Sequence, residues 1–196
     1  MKIQLFDLTR DLAAIRDLYA ACFAEPPWCE RFDMNELDAW FTEMTEWPDA
    51  IFLVGTEGDR IVAGAIGFNV CRKPGICELI GDTDRNSFYI AELFVDPTYR
   101  ERGACQKLNE HMLRLASLFG YRRGSVRTSV SQSVIQHVFI NKLGFEIVSR
   151  QDVVSTKWID GVEQEVPDTR VIMTGTIRDY LAKQRLLEVR GFHSGH

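Results

Sequence analysis

The sequence lacks the cysteine and histidine patterns that indicate a disulfide framework or a metal centre. Its cysteine count is odd, and no two cysteines have the C-x-x-C spacing of common zinc and redox motifs. The cysteines are Cys22, Cys29, Cys71, Cys77 and Cys105, and the scattered histidines are His111, His137, His193 and His196. We therefore expect reduced thiols, no metal and a cytoplasmic location.

Long apolar runs are also missing. No segment approaches the roughly 18 apolar residues of a membrane-spanning helix, and Asp7, Arg10 and Asp11 interrupt the stretch where a signal peptide would be apolar. The net charge of −5 argues against a nucleic-acid binder, which is usually basic. The sequence has neither a GxxxxGK[ST] phosphate loop nor a GxGxxG fingerprint. We expect no membrane partner and no nucleic-acid partner.

Apolar periodicity divides the chain into strands and helices. Helices are predicted from Thr9 (as its cap), over 35–46, over 103–119 and near 133–143, with Ser131 or Ser133 as the cap of the last of these. Asp160-Gly161 predicts a hairpin turn. The predicted order is β-α-α-β-β-β-α-β-α-β-β, which favours one α/β domain with a mixed sheet. We predict this domain at residues 1–177 and a C-terminal extension, 178–196, with a short helix and a frayed tail.

One short stretch, "VDPTYRERGAC" at 95–105, joins the apolar run "FYIAELFV" to the clearest helix of the chain. The start of a helix presents unpaired N–H groups and the positive end of its dipole, so it binds anions when side chains leave the backbone accessible. Gly103 provides that access, and Arg100 and Arg102 add positive charge. A solvated arginine face with Gly103 as a simple cap is the alternative interpretation.

The stretch also resembles a known family. "ELFVDPTYR", then Arg100-Glu101-Arg102-Gly103-Ala104-Cys105, then "NKLGFEIV" about forty residues later, is similar to the GNAT superfamily of acyl-CoA-dependent N-acyltransferases. The superfamily motif is [QR]-x-x-G-x-[GA], and Cys105 replaces its last residue. The resemblance covers roughly residues 1–177. It implies an α/β (α+β) fold with a mixed central sheet of about seven strands flanked by helices.

The resemblance implies acetyl-CoA (coenzyme A) as the cosubstrate. Its pyrophosphate is expected on the backbone of the turn, its pantetheine arm along the preceding strand, and Ser133 at a position where the family often has an asparagine. The implied cofactor-binding residues are Phe94, Val95, Arg100, Arg102, Gly103, Ala104, Cys105 and Ser133. A helix cap is the ordinary alternative role for Ser133.

Glu92 is the candidate catalytic base. An alkylamine with a pKa of about 10.4 is neutral in roughly 1 of 2,500 molecules at pH 7, so acyl transfer needs a group that removes its proton. Glu92 matches a position where many family members have a carboxylate; a strand carboxylate paired with an arginine is the alternative. The family's usual acid is a tyrosine where this chain has Ile140. Tyr89, Tyr99, a water molecule or unassisted departure of the thiolate could replace it.

The acceptor is expected near the proline-tryptophan loop. Trp28, Cys29 and Glu30 are the predicted lining residues. Segment 25–49 holds eight carboxylates and one arginine, which favours a cationic acceptor, although a solvated acidic helix face gives the same pattern. A covalent role for Cys29 is the lesser alternative to direct transfer. The resemblance is also compatible with a homodimer.

Two functions follow from the sequence. The first is an N-acetyltransferase that transfers the acetyl group of acetyl-CoA directly to a primary amine of a small, cationic or peptidyl acceptor. The alternative is a non-catalytic acyl-CoA-binding module, which Ile140 and Cys105 motivate because both depart from the family pattern.

Overall fold

The computed structural model describes residues 1–182 and residue 185. Its helices and strands follow the predicted order, except that a short helix at Pro74–Leu79 lies where the predicted order has no helix. The strands are β1 (Lys2–Leu5), β2 (Ile51–Glu57), β3 (Arg60–Asn69), β4 (Ser87–Val95), β5 (Arg123–Ser129), β6 (Glu146–Ile159) and β7 (Val162–Thr176). The helices are α1 (Leu8–Ala24), α2 (Met34–Thr45), α3 (Pro74–Leu79), α4 (Ala104–Leu118) and α5 (Ser133–His137). Single 3-10 turns cover Val70–Arg72 and Pro97–Tyr99, and a π turn covers Val138–Lys142.

The seven strands form one mixed sheet in the order β1-β2-β3-β4-β5-β7-β6, which confirms the predicted fold class. Neighbouring strands are antiparallel except β4 and β5, which are parallel. The predicted Asp160-Gly161 turn joins β6 to β7, and both of its residues have positive φ angles, 52° and 79°. In the described part of the chain, no helix is long and apolar enough to cross a membrane.

Helices cover both faces of the sheet, and each face has its own apolar cluster. On one face, α4 and α5 pack on the strands through residues such as Leu108, Met112 and Phe139. On the other face, α1 and α2 pack through residues such as Ile15 and Phe41. Because successive strand residues point to opposite faces, each central strand contributes to both clusters. We call these the α4 face and the α1 face.

Two predicted helix caps were wrong. Asp7, not Thr9, caps α1, because the Asp7 carboxylate accepts hydrogen bonds from the backbone N–H groups of Thr9 and Arg10. Gln132 is the N-cap residue of α5, and among the described residues no side chain completes that cap. Both errors are shifts of a few residues among neighbouring polar side chains.

The end of the chain is described only in part. Residues 177–182 are helical, and Ile177 and Tyr180 are buried in the cluster on the α4 face. The rest of the predicted last helix and the predicted frayed tail lie outside the described residues, apart from residue 185.

The sheet opens between its two parallel strands. β4 and β5 pair only from Ser87 with Arg123 to Ile90 with Val126 in the described sheet. On the other edge of β4, Gly67 pairs with Ile90 and Ile66 with Glu92, so Ala91 is an extra residue in a β-bulge. A bulge bends its strand and increases the local twist. The strands therefore diverge beyond Ile90 and Val126 and leave a split in the centre of the sheet.

A pair of glycines keeps the far side of β5 closely packed. Gly124 on β5 lies opposite Gly175 on β7, and the ring of Phe145 lies against both. A Cβ at Gly175 would lie 2.8 Å from Cε1 and 2.9 Å from Cγ of Phe145. Distances this short require the ring or the strand to move.

Gly175→Ala is therefore expected to lower the free energy of unfolding by about 1–3 kcal/mol, the usual cost of overpacking a core. The matched control is Gly75→Ala in α3, where a Cβ meets nothing within 4 Å, so no such loss is expected. Thermal unfolding of both variants measures the difference. Equal melting temperatures for the two would contradict this account of the packing.

Candidate active site

The turn before α4 has the backbone geometry of an anion site. Gly103 is the N-cap residue with φ 77° and ψ 12°, in the left-handed region that glycine adopts at little cost. No side chain among the described residues caps this helix, and a Cβ placed on Gly103 would meet nothing within 4 Å. The first N–H groups of α4, at Ala104, Cys105 and Gln106, are therefore accessible to an anionic ligand.

The two predicted arginines occupy different places. Arg100 is directed toward α1, where its Nε donates to the backbone oxygen of Val95 at 3.1 Å and its guanidinium pairs with Glu25 at 2.8 Å. Arg102 is exposed, and its guanidinium lies over the ring of Tyr99, 5.2 Å from the centroid. Arg100 thus connects β4 to the end of α1, while Arg102 contributes charge from the surface.

The open edge of β4 is the second feature of the site. The Asp96 N–H donates to the Val62 oxygen of β3, so alternation of the ladder turns the N–H groups of Leu93 and Val95 toward the split. The backbone of Phe94, paired in register with Gly64, faces β3 instead. Of the two residues predicted to bind the cofactor along this strand, Val95 presents its N–H group at the open edge and Phe94 does not, and Leu93 presents the other N–H group there. The Phe94 ring packs on the α1 face against Tyr19, with centroids 5.1 Å apart.

One cavity of about 660 Å³ joins the start of α4, the split and the loop between α1 and α2. It reaches Gly103 at one end and Trp28 at the other, with Glu92 on its wall. Of the predicted site residues, it is lined by Trp28, Glu30, Glu92, Phe94, Val95, Arg100, Gly103, Ala104 and Cys105. The lining in the described structure does not include Cys29, Arg102 or Ser133. Ser133 is exposed, whereas its neighbours Gln132 and Val134 border the cavity.

Glu92 is the perturbed acid of this cavity. Burial, together with the nearby Glu30 carboxylate, raises the pKa of Glu92 to about 8, against smaller opposing effects of Lys73, Tyr19 and Arg170. The Glu92 side chain is half-buried, and it reaches solvent through the cavity. No salt bridge pairs it with an arginine in the described residues. This argues against the simple ion-pair alternative.

Glu30 is a second carboxyl group on the same cavity. Burial raises its pKa above the usual range, and the charges of Arg170 and Lys157 partly oppose that rise. Two nearby carboxyl groups that each resist ionisation favour a cationic ligand between them, because a positive charge relieves their repulsion.

The loop between α1 and α2 is fixed over the cavity by the β6–β7 hairpin. The Lys157 ammonium donates to the Pro27 oxygen at 2.6 Å, and the Trp158 N–H donates to the Cys29 oxygen at 2.7 Å. Arg31 lies over the Trp158 ring, 4.1 Å from its centroid. These contacts use the backbone of Cys29 and hold Trp28 and Glu30 at the cavity.

Most of the acidic segment lies elsewhere. Only Glu25 and Glu30 of its eight carboxylates line the cavity, and Glu25 is paired with Arg100. Asp38 pairs with Arg16 and Asp49 with Arg72. The negative charge read from the sequence is thus largely a property of helix surfaces and of ion pairs away from the cavity.

The candidate proton donors for the leaving thiolate lie in different places. Tyr89 lines the cavity in the described structure, whereas Tyr99 does not. Ile140, at the position of the family's usual tyrosine, does not line it either. Tyr89 is buried on the α1 face, and burial raises the pKa of its hydroxyl. Of the two tyrosines considered from the sequence, Tyr89 alone has access to the cavity.

Several residues of the cavity were not predicted, among them Tyr19, Arg127 and Arg170. Tyr19 appears in the sequence only as one apolar position of α1, and Arg127 and Arg170 appear only as charges on strands. Tyr19 lies close enough to Glu92 to lower the pKa of that carboxyl group. Arg170 binds Asp168 at 2.8 Å and Ser155 at 3.1 Å, and its guanidinium lies 5.0 Å from the ring centroid of Trp28.

Comparison with known proteins identifies the family. The model of the acetyltransferase (GNAT) family matches residues 12–145. No curated protein sequence matches this chain.

Solved structures share the fold at low sequence identity. An N-acetyltransferase from Staphylococcus aureus Mu50 superposes with a TM-score of 0.70 at 16% identity, over 90% of this chain and 98% of that one. The ribosomal-protein-alanine N-acetyltransferase from Brucella melitensis has a TM-score of 0.70 at 14% identity, over 90% and 99%. The yncA protein from Salmonella typhimurium, solved with its cofactor acetyl-CoA, has a TM-score of 0.69 at 17% identity, over 90% and 94%.

The fold and the family match together place the chain in the class of acetyltransferases. More particularly, it belongs to the GNAT family of acetyltransferases.

Proposed function

We propose that the protein transfers the acetyl group of acetyl-CoA directly to a primary amine of a small or peptidyl acceptor that enters as a cation. The observation that carries this proposal is the single cavity, which joins an uncapped helix start, an open strand edge and a carboxyl group with a raised pKa. These are the three elements that binding and deprotonation require: an anion site, a strand to pair with, and a base.

The structure fits coenzyme A at two points. Gly103 leaves open space where a side chain would otherwise cover the N–H groups of α4, which suits the pyrophosphate. Ala104, Cys105 and Gln106 would hold it, with Arg100 and Arg102 nearby. The split between β4 and β5 suits the pantetheine arm as an added strand, held by the Leu93 and Val95 N–H groups.

Glu92 acts as the general base on the acceptor. Acetyl-CoA, when bound, supplies a thioester carbonyl for the amine to attack and a thiolate that leaves. In its ionised form Glu92 accepts a proton from the ammonium group, directly or through one water molecule. Tyr19 favours the ionised carboxylate, and Glu30 favours entry of the acceptor as a cation.

The neighbouring backbone stabilises the transition state. An N–H group at the open edge of β4 donates to the carbonyl oxygen as it gains negative charge. Tyr89, or water in the cavity, donates the proton that the thiolate takes up. Because burial raises the pKa of Tyr89, its hydroxyl is protonated at neutral pH, as a proton donor must be.

Release of free thiol from acetyl-CoA, measured across a panel of amines, tests this proposal. The panel contains polyamines, aminoglycosides, arylalkylamines, amino acids and a lysine peptide. Release that depends on one amine class supports acetyl transfer. Tight binding of acetyl-CoA without release from any acceptor would favour the alternative, a non-catalytic acyl-CoA-binding module. Failure to bind acetyl-CoA would overturn both.

A further inference from the structure

A second charged group borders the split from the opposite strand. Val126 is the last residue of β5 that pairs with β4, and it belongs to the apolar cluster on the α4 face. The next residue, Arg127, therefore projects toward the α1 face, where the acceptor would lie. Arg127 lines the cavity. Its positive charge acts on Tyr89, a buried residue of the α1 face, which agrees with this placement.

Arg127 differs from the other arginines of the cavity because no ion pair joins it to another of the described residues. Its Nε is buried without a hydrogen bond, and no carboxylate pairs with it in the described residues. Arg100 and Arg170, by contrast, pair with Glu25 and Asp168. Arg127 is half-buried, and leaving its buried Nε without a hydrogen bond is costly. The cavity thus has an unsatisfied cationic group on the acceptor side, in position to bind an anion.

The cavity therefore has two recognition groups of opposite sign. Glu92 and Glu30 favour an ammonium group, and Arg127 favours a carboxylate, for which the guanidinium has matching two-pronged geometry. Glu92 follows the last β5-paired residue of β4, Ile90, by two positions, and Arg127 follows the last β4-paired residue of β5, Val126, by one. The two residues thus flank the same split. A small molecule that carries both an amine and a carboxylate can satisfy both.

We infer that the acceptor is an amino acid or a close analogue, with its amine at Glu92 and its carboxylate on Arg127. This inference rests on the proposed function and specifies its substrate class. An acceptor that carries only amines would leave Arg127 unpaired in the complex.

The test compares L-amino acids with their decarboxylated amines, such as tyrosine with tyramine and lysine with cadaverine. The readout is kcat/KM for thiol release from acetyl-CoA. We expect at least one amino acid to exceed its decarboxylated partner by about 100-fold or more, because a site with a buried polar group discriminates strongly against a ligand that leaves it unpaired. Arg127→Gln should remove most of that advantage, with a much larger loss of kcat/KM for the amino acid than for its decarboxylated amine.

Two further variants are controls for charge and fold. Arg127→Lys keeps the positive charge and should retain part of the preference for the amino acid. Arg122→Gln removes an exposed arginine just before β5 and should leave all rates unchanged. Equal rates for both members of every pair, or a weaker affinity of Arg127→Gln for acetyl-CoA itself, would overturn the inference.

Calorimetry separates failure of the inference from failure of the proposed function. The same pairs are titrated into protein saturated with coenzyme A. Absence of thiol release with every acceptor would overturn the proposed function. Amino-acid binding that Arg127→Gln abolishes would still support an anion site at Arg127. Equal affinities for each amino acid and its decarboxylated amine would exclude that site.

Discussion

Glu92→Gln is expected to lower kcat by about 10²–10⁴-fold at pH 8, the usual contribution of a positioned general base. Glutamine has nearly the same shape as glutamic acid, but it cannot take a proton from the acceptor. Steady-state thiol release measures the loss. The affinity for acetyl-CoA should be unchanged, because the proposed pyrophosphate site lies at Gly103. A variant with wild-type kcat would exclude Glu92 as the base.

The same substitution has a predicted effect on stability that does not depend on the acceptor. Burial raises the pKa of Glu92 to about 8 in the folded protein, against about 4.3 for an unperturbed glutamate. Between these two values the folded state binds more protons than the unfolded state, so the contribution of Glu92 to stability falls as the pH rises. Glu92→Gln removes this dependence.

Chemical denaturation at several pH values between 5 and 9 is the measurement. The stability of the wild type should decline relative to that of Glu92→Gln as the pH rises across this interval, and the variant should be the more stable of the two at the alkaline end. Parallel curves would mean that the folded protein does not raise the pKa of Glu92.

Gly103→Asp is expected to weaken acetyl-CoA binding by about 100-fold, which corresponds to about 2.7 kcal/mol. The new carboxylate would lie at the start of α4, beside the N–H groups proposed to hold the pyrophosphate. Repulsion between unit charges about 4 Å apart near a protein surface is of this order or larger. Isothermal titration of acetyl-CoA measures the change.

Gly103→Asn is the matched control. Asparagine has the size of aspartate and also tolerates the left-handed backbone that Gly103 adopts with φ 77°, but it is uncharged. We expect its affinity for acetyl-CoA to fall only a few-fold. Equal losses in the two variants would attribute the effect to the backbone, and wild-type affinity in Gly103→Asp would place the pyrophosphate elsewhere.

The sequence was sufficient to predict the fold class and the accessible backbone turn at Gly103. The repeat of Ala104, Leu108 and Met112 predicted α4, and Gly103 at its start predicted the exposed turn. Both predictions depend only on residues that are close in sequence, because helix periodicity and turn chemistry are local properties. Glu92 was predicted from the resemblance, because a carboxylate among strand residues matched the family pattern.

The sequence did not predict which side chains meet. Tyr19 and Glu92 are separated by seventy-three positions, and only the packing of α1 on the sheet brings them together. Arg127 looks like any strand arginine until the partners of its neighbours are known. Similarly, Asp38 and Asp49 seemed to belong to an acidic acceptor wall, but long-range ion pairs with Arg16 and Arg72 hold them elsewhere.

The most direct test is the pH dependence of kcat/KM for wild type and Glu92→Gln with one acceptor. Because only the ionised carboxyl can accept a proton, the wild-type rate should rise with pH and level off around an apparent pKa of about 8. The variant should lack this rise near pH 8, and its kcat/KM should change with pH only through ionisation of the amine itself. The same rise near pH 8 in both proteins would contradict the assignment of Glu92 as the base of this cavity.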